Sequence, residues 1–109
     1  MGMKHLFDVD AAKTVGIVPA ILLDSIAHWC IHNKANGKNF HDGLYWEPCS
    51  VAAMETYFPY LTNKTIRDAL KKLEDGGYVV ECRFMRNRFD QTNWYAVTED
   101  GYRLAEIER

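Results

Sequence analysis

Residues Leu61 to Gly77, LTNKTIRDALKKLEDGG, constrain the fold more than any other stretch of this chain. Thr62 is placed to cap a helix N-terminus, because its hydroxyl can accept a backbone N–H that has no partner in the first turn. Ile66, Ala69, Leu70 and Leu73 then recur at helical spacing and form one apolar stripe. Gly76 and Gly77 close the helix, since a left-handed terminal residue is tolerated best by glycine. Lys64, Arg67 and Lys71 fall opposite the stripe. The helix has one side to bury and a basic side to offer.

The rest of the chain supplies what that side packs on. At 109 residues there is room for one domain, 1–109, with one core. Met1-Gly2-Met3 reads as a cloning remnant ahead of a native Met3 and is set aside. Asp8 to Val15 predicts a short helix capped by Asp8 and ended by Gly16. A second helix takes Pro19 in its first turn and runs to about Lys34, with Asn36-Gly37 closing it. Its apolar set of Ile21, Leu22, Leu23, Ile26, Trp29 and Cys30 spans a wide arc, so burial on two sides is expected. A second copy of the chain is one source of the second side.

Asn36 to Gly43 reads as a polar loop and Leu44-Tyr45-Trp46 as a short strand. Ser50 caps a helix over Val51 to Phe58, and Pro59-Tyr60-Leu61 is a tight link into the Thr62 helix. Two short helices joined this closely have helix-turn-helix spacing. Tyr78 to Phe84 and Thr92 to Thr98 alternate as strands around a tip, Met85 to Gln91, with Tyr95 and Val97 taken as the inward face. Glu99 to Glu108 closes the chain as a helix. The order predicts an α+β fold, mainly helical with a small antiparallel hairpin: a winged helix-turn-helix.

The formal net charge is −2, so nothing global advertises a polyanion-binding protein. The distribution says more. Residues 1–61 carry four Lys/Arg against six Asp/Glu, and residues 89–109 carry two against five. Residues 62–88 carry seven against four and form the one net-positive segment. A helix that reads DNA must fit a groove about 12 Å wide and offer donors and acceptors to base edges. Asn63, Lys64 and Arg67 lie in the first turns of the helix, and Lys71 follows on the same face to meet backbone phosphate. Thr62 and the free N–H groups there can hold a phosphate. Arg83, Arg86 and Arg88, around Asn87, suit phosphate clamping or a narrow minor groove. These nine residues are the expected DNA-binding set. The cations of the helix alone read equally well as a solvated face salted with Asp68, Glu74 and Asp75.

Other chemistry is poorly supplied. His28 and His32 stand at metal-ligand spacing, but Cys30 between them cannot share their helical face, and no CxxC adds ligands; no metal or other cofactor is expected. Trp29, Trp46 and Trp94 are expected in packing rather than stacked on bases. No phosphate-cradling glycine loop, nucleophile elbow or zinc-protease motif occurs, so an enzyme is not expected. Three cysteines, Cys30, Cys49 and Cys82, cannot all pair within the chain, and no apolar run approaches the ~20 residues that span a bilayer. The expected setting is the cytoplasm, without membrane contact.

With these residues placed, the chain resembles the winged-helix N-terminal domains of phage and mobile-element replication proteins, the DnaD-like replisome organisers and initiators. Gly16 to Cys30 resembles their first long helix, with His28-Trp29 at its His-Trp signature. Phe58 to Val80 resembles their turn, recognition helix and first wing strand. Arg86 to Thr98 resembles their basic tip and return strand, through Asp90, Thr92, Trp94 and Tyr95. Val18 stands where that family usually has a small polar residue. The resemblance implies duplex DNA binding in replication initiation, self-association as a homodimer or larger oligomer, and contact with replication machinery. Two alternatives remain. One is a transcriptional repressor of the multidrug-resistance type, since Val97-Thr98-Glu99-Asp100-Gly101 resembles the run that leads into the dimerisation helix of those proteins. The other is a phage-encoded protein-interaction module on the same scaffold.

Overall fold

A computed structural model describes residues 4–82 and 92–107. Within them the chain forms helices α1 (Val9–Val15) and α2 (Ile17–Ala35), strands β1 (Phe40–His41), β2 (Leu44–Tyr45) and β3 (Glu47–Pro48), helices α3 (Val51–Tyr57) and α4 (Asn63–Asp75), strands β4 (Val79–Cys82) and β5 (Trp94–Val97), and helix α5 (Glu99–Ala105). The architecture is mixed α+β, with two small antiparallel sheets: β1 pairs with β2, and β5 lies between β3 and β4. Among the described residues no helix is long and apolar enough to cross a membrane.

Local chemistry sets most helix ends. The Asp8 carboxylate accepts the Ala11 N–H at 2.9 Å and starts α1. Gly16, at φ 98°, turns the chain from α1 into α2 in a region that favours glycine. The Ser50 hydroxyl accepts the Ala53 N–H at 3.0 Å to start α3. Thr62 does the same for α4, accepting the Thr65 N–H at 3.2 Å. At the far end of α4 the Tyr78 N–H returns to Leu73 O at 2.9 Å and the Gly77 N–H to Glu74 O at 3.0 Å. That double closure needs the left-handed φ of 77° at Gly77, while Gly76 remains helical.

Helix α2 is the hub. It packs on α1, α4, α5 and β5. Leu22, Leu23, Ile26, Ala27 and Cys30 are all fully buried. The wide apolar arc is therefore covered by this chain itself, which corrects the expectation that a second copy might cover it. Helix α4 presses Ile66, Ala69, Leu70 and Leu73 into the same core, as its stripe predicts. Tyr95 and Val97 point inward as expected, and Ala96 is buried as well because β5 is flanked by a strand on each side.

Besides shifts of one or two residues at element ends, such as β5 starting at Trp94 rather than Thr92, three places differ from the sequence reading. The region read as a polar loop, Asn36 to Gly43, contains β1, and the strand expected over Leu44-Tyr45-Trp46 is split. Asp42 and Gly43, at φ 52° and 79°, form the two-residue turn that joins β1 to β2. Both central residues of such a hairpin turn take positive φ, which Asp-Gly tolerates. Trp46 is buried between β2 and β3, its indole N–H donating to His41 O at 2.9 Å. β3 then leaves the hairpin to pair with β5, Glu47 opposite Tyr95. The third difference is α5, which ends at Ala105 rather than Glu108, with Glu106 in the left-handed region.

The joint between α5 and the sheet is tight. The Thr98 hydroxyl accepts the Gly101 N–H at 3.1 Å, capping α5, and donates to Gly77 O at 2.6 Å. The Thr98 N–H reaches Tyr78 O at 3.0 Å. A Cβ on Gly101 would strike the Tyr78 carbonyl and the Val97 side chain, so only glycine fits there. The Thr-Glu-Asp-Gly run has this local structural job.

Candidate nucleic-acid interface

Helices α3 and α4 pack on each other, and their connection keeps the N-terminal turns of α4 at the surface. Thr62, Asn63, Lys64, Arg67 and Lys71 are all exposed, while the opposite stripe is sealed in the core. The five expected helix residues therefore share one accessible flank. Arg83, Arg86, Asn87 and Arg88, the expected wing contacts, lie outside the described residues.

Each exposed side chain on this flank is engaged differently. The Thr62 hydroxyl is committed to its cap and also donates to Thr65 Oγ1 at 2.9 Å, leaving it little capacity for a phosphate. Lys64 Nζ lies 2.7 Å from Asp68 Oδ2, and Lys71 Nζ lies 3.4 Å from Asp75 Oδ2. All four side chains are more than half exposed. Such pairs contribute about 0–1 kcal/mol each, so a phosphate could displace the carboxylate at small cost.

Arg67 is held by a different kind of contact. Its Nε donates to Asn63 Oδ1 at 2.6 Å, and the Asn63 amide N–H donates to Glu55 Oε1 at 2.7 Å. Among the described residues, no carboxylate contacts the guanidinium. Glu55 belongs to α3, so the chain of contacts ties the exposed flank of α4 to the preceding helix. Sequence reasoning missed Glu55. The link crosses the interhelical turn, and no spacing rule marks it.

The far end of α4 is less suited to a polyanion. Glu74 has its carboxyl pushed up from the usual range, first by burial and then by Glu81 of β4 beside it. Lys72 falls off the flank, facing the groove between α4 and the α1–α2 joint with Gly16, Pro19 and Ala69.

The remaining candidate groups do not converge. His28 Nδ1 meets Asp24 O at 2.8 Å and its carboxylate at 3.3 Å, and His32 is exposed beside Asn36. Cys30 is fully buried between them. Burial pushes the Cys30 thiol up to about 12, which makes it a poor nucleophile, and its Sγ lies 3.7 Å from Tyr95 O. The three cysteines are free thiols. Trp29 packs edge-on against Tyr57 at 5.0 Å, Trp46 is buried, and Trp94 meets His41 edge-on at 6.2 Å, so all three make aromatic or core contacts. Asp8, Asp10 and Glu106 gather their carboxylates where α1 begins and α5 ends, an exposed acidic group of a kind common at helix N-termini.

No protein-family model matches the chain, and neither a curated protein nor a solved structure matches it closely enough to carry an inference.

Proposed function

We propose that this chain is a winged-helix module that binds duplex DNA, with α3 and α4 as its helix-turn-helix and α4 laid in the major groove. The observation that carries the reading is the exposed flank of Asn63, Lys64, Arg67 and Lys71 on a helix whose other side is locked in the core. Such a helix can enter a groove without exposing apolar surface, and it offers both base-edge and phosphate partners. The strand order supports the same fold: β3 precedes the two-helix unit and pairs with β5, while β4 and β5 bracket the arginine-bearing segment. Placing that binding in replication of a phage or mobile element rests on the sequence resemblance alone. Self-association, which the resemblance also implies, would need a surface other than the covered face of α2. Leu6, Phe7, Val9 and Ile17 are the large exposed apolar residues around α1.

The test is fluorescence anisotropy on duplex DNA across a salt series. Binding should weaken by roughly 0.9 log units per log unit of salt for each phosphate contact. Arg67→Ala combined with Arg88→Ala should cut affinity at least ~10-fold with an unchanged melting curve. Unchanged affinity overturns the reading.

One observation favours the protein-interaction alternative: Lys64 and Lys71 each sit against an aspartate of the same flank, so the surface is mixed in charge rather than uniformly basic. Absence of salt-dependent duplex binding would make that reading the better one.

A further inference from the structure

We propose that Arg67 reads a guanine end-on, and that Asn63 and Glu55 are positioning residues that aim it rather than base readers themselves. This rests on the duplex-binding reading and adds the base class that the surface selects.

Donor and acceptor capacity separates the roles of these side chains. A carboxylate only accepts, so the Asn63 atom 2.7 Å from Glu55 Oε1 must be the amide nitrogen. Arginine Nε only donates, so the Asn63 atom 2.6 Å from it must be the amide oxygen. A single orientation of the Asn63 amide satisfies both contacts. Bidentate recognition of adenine would require that same oxygen and nitrogen together. Both are already engaged within the protein, and an adenine would have to share each of them, so Asn63 is the poorer adenine reader while the two hydrogen bonds hold.

Arg67 is left in the opposite condition. Its Nε is occupied, and its two terminal nitrogens have no partner among the described residues. Those two nitrogens form the fork that matches the O6 and N7 acceptors of guanine in the major groove. Fixing the Nε end also removes much of the rotamer freedom that a long side chain would otherwise lose on binding. Lys64 and Lys71 have no such fork. As point charges drawn to Asp68 and Asp75, they supply attraction to phosphate but little base identity. One residue of the flank is thus built for specificity, and its neighbours for affinity.

The experiment starts from duplexes selected by the full chain out of a random library. Each guanine of the selected site is then replaced by 7-deazaguanine, which lacks only the N7 acceptor, and affinity is read by anisotropy. The unmodified chain should lose about tenfold at one position. Arg67→Lys keeps the charge and should bind all duplexes with a similar salt slope, yet be indifferent to the deaza substitution. Glu55→Ala should shrink the discrimination ratio without weakening non-specific binding, and Glu55→Gln, which still offers Asn63 an oxygen, should restore most of it. A purely structural role for Glu55 would not move that ratio at constant melting temperature. If the chain shows no salt-dependent duplex binding, both readings fall. If it binds with a steep salt slope but no guanine N7 matters, or if 7-deazaadenine and Asn63→Ala define the sensitive position, only this assignment falls.

Discussion

Helices α2 and α4 lie against each other in one core, yet their sequences are written in different ways. Helix α2 buries Ile21, Leu22 and Leu23 in succession, then Ile26, Ala27 and Cys30, so apolar side chains leave it in several directions. Helix α4 buries only Ile66, Ala69, Leu70 and Leu73, one turn apart. The difference is a matter of how many elements cover each helix. α2 is wrapped by α1, α4, α5 and β5, whereas α4 leans on α2, α3 and β4 and leaves a flank open. An apolar arc thus tells how many sides of a helix are covered, but not what covers them. Here the cover is local: α1 and α5, short as they are, close over α2.

A charge placed in the core of either helix should have the largest effect. Ile26 and Ile66 are both fully buried, one on each helix. Ile26→Asp and Ile66→Asp should each abolish cooperative thermal unfolding followed by circular dichroism. An unpaired carboxylate in this core consumes much of the ~5–15 kcal/mol that holds a small domain together. A soluble Ile66→Asp variant with a sharp melt would show that α4 is not seated as described.

A gentler probe separates the covered helix from the open one. The Cys30 thiol on α2 is pushed up from its ordinary 9.0 to about 12, chiefly by burial, and the Tyr95 hydroxyl of β5 from 10.0 to about 12 for the same first reason. Both groups are held neutral in the folded chain more firmly than in the unfolded one. The stability this gives is intact below pH 9 and is lost as pH rises toward 12. Urea unfolding at increasing pH should show that decline, and alkylation of Cys30 at pH 8 should be at least ~100-fold slower in the native chain than in denaturant.

The smallest effect belongs to the open flank of α4. Replacing Lys64 and Lys71 by alanine removes two exposed ion pairs and should shift stability by less than ~1 kcal/mol. A larger loss by chemical denaturation would mean that the flank is structural.

The same contrast explains what could be read from the chain unaided. The Thr62 cap, the four-residue stripe and the glycine closure of α4 are local signals, and each appears where the spacing puts it. The flank of Asn63, Lys64, Arg67 and Lys71 follows from helical spacing, and so do the pairings of the two lysines with Asp68 and Asp75. The hairpin at Asp42-Gly43 also has a local signature, but its strands are too short, and Phe40 too exposed, for alternation to show. The pairing of Glu47 with Tyr95 has no local signature at all, because register between distant segments is set by the finished core. The Glu55 contact is of that kind too. It depends on the angle at which α3 meets α4, which no residue pattern states.

The Thr98 joint has a mechanical consequence. Its hydroxyl binds the carbonyl of Gly77, the residue on which α4 ends, while capping α5 on its other side. One hydroxyl thus pins two helix ends at once, so Thr98→Val should fray the start of α5 and loosen the closing turn of α4 together.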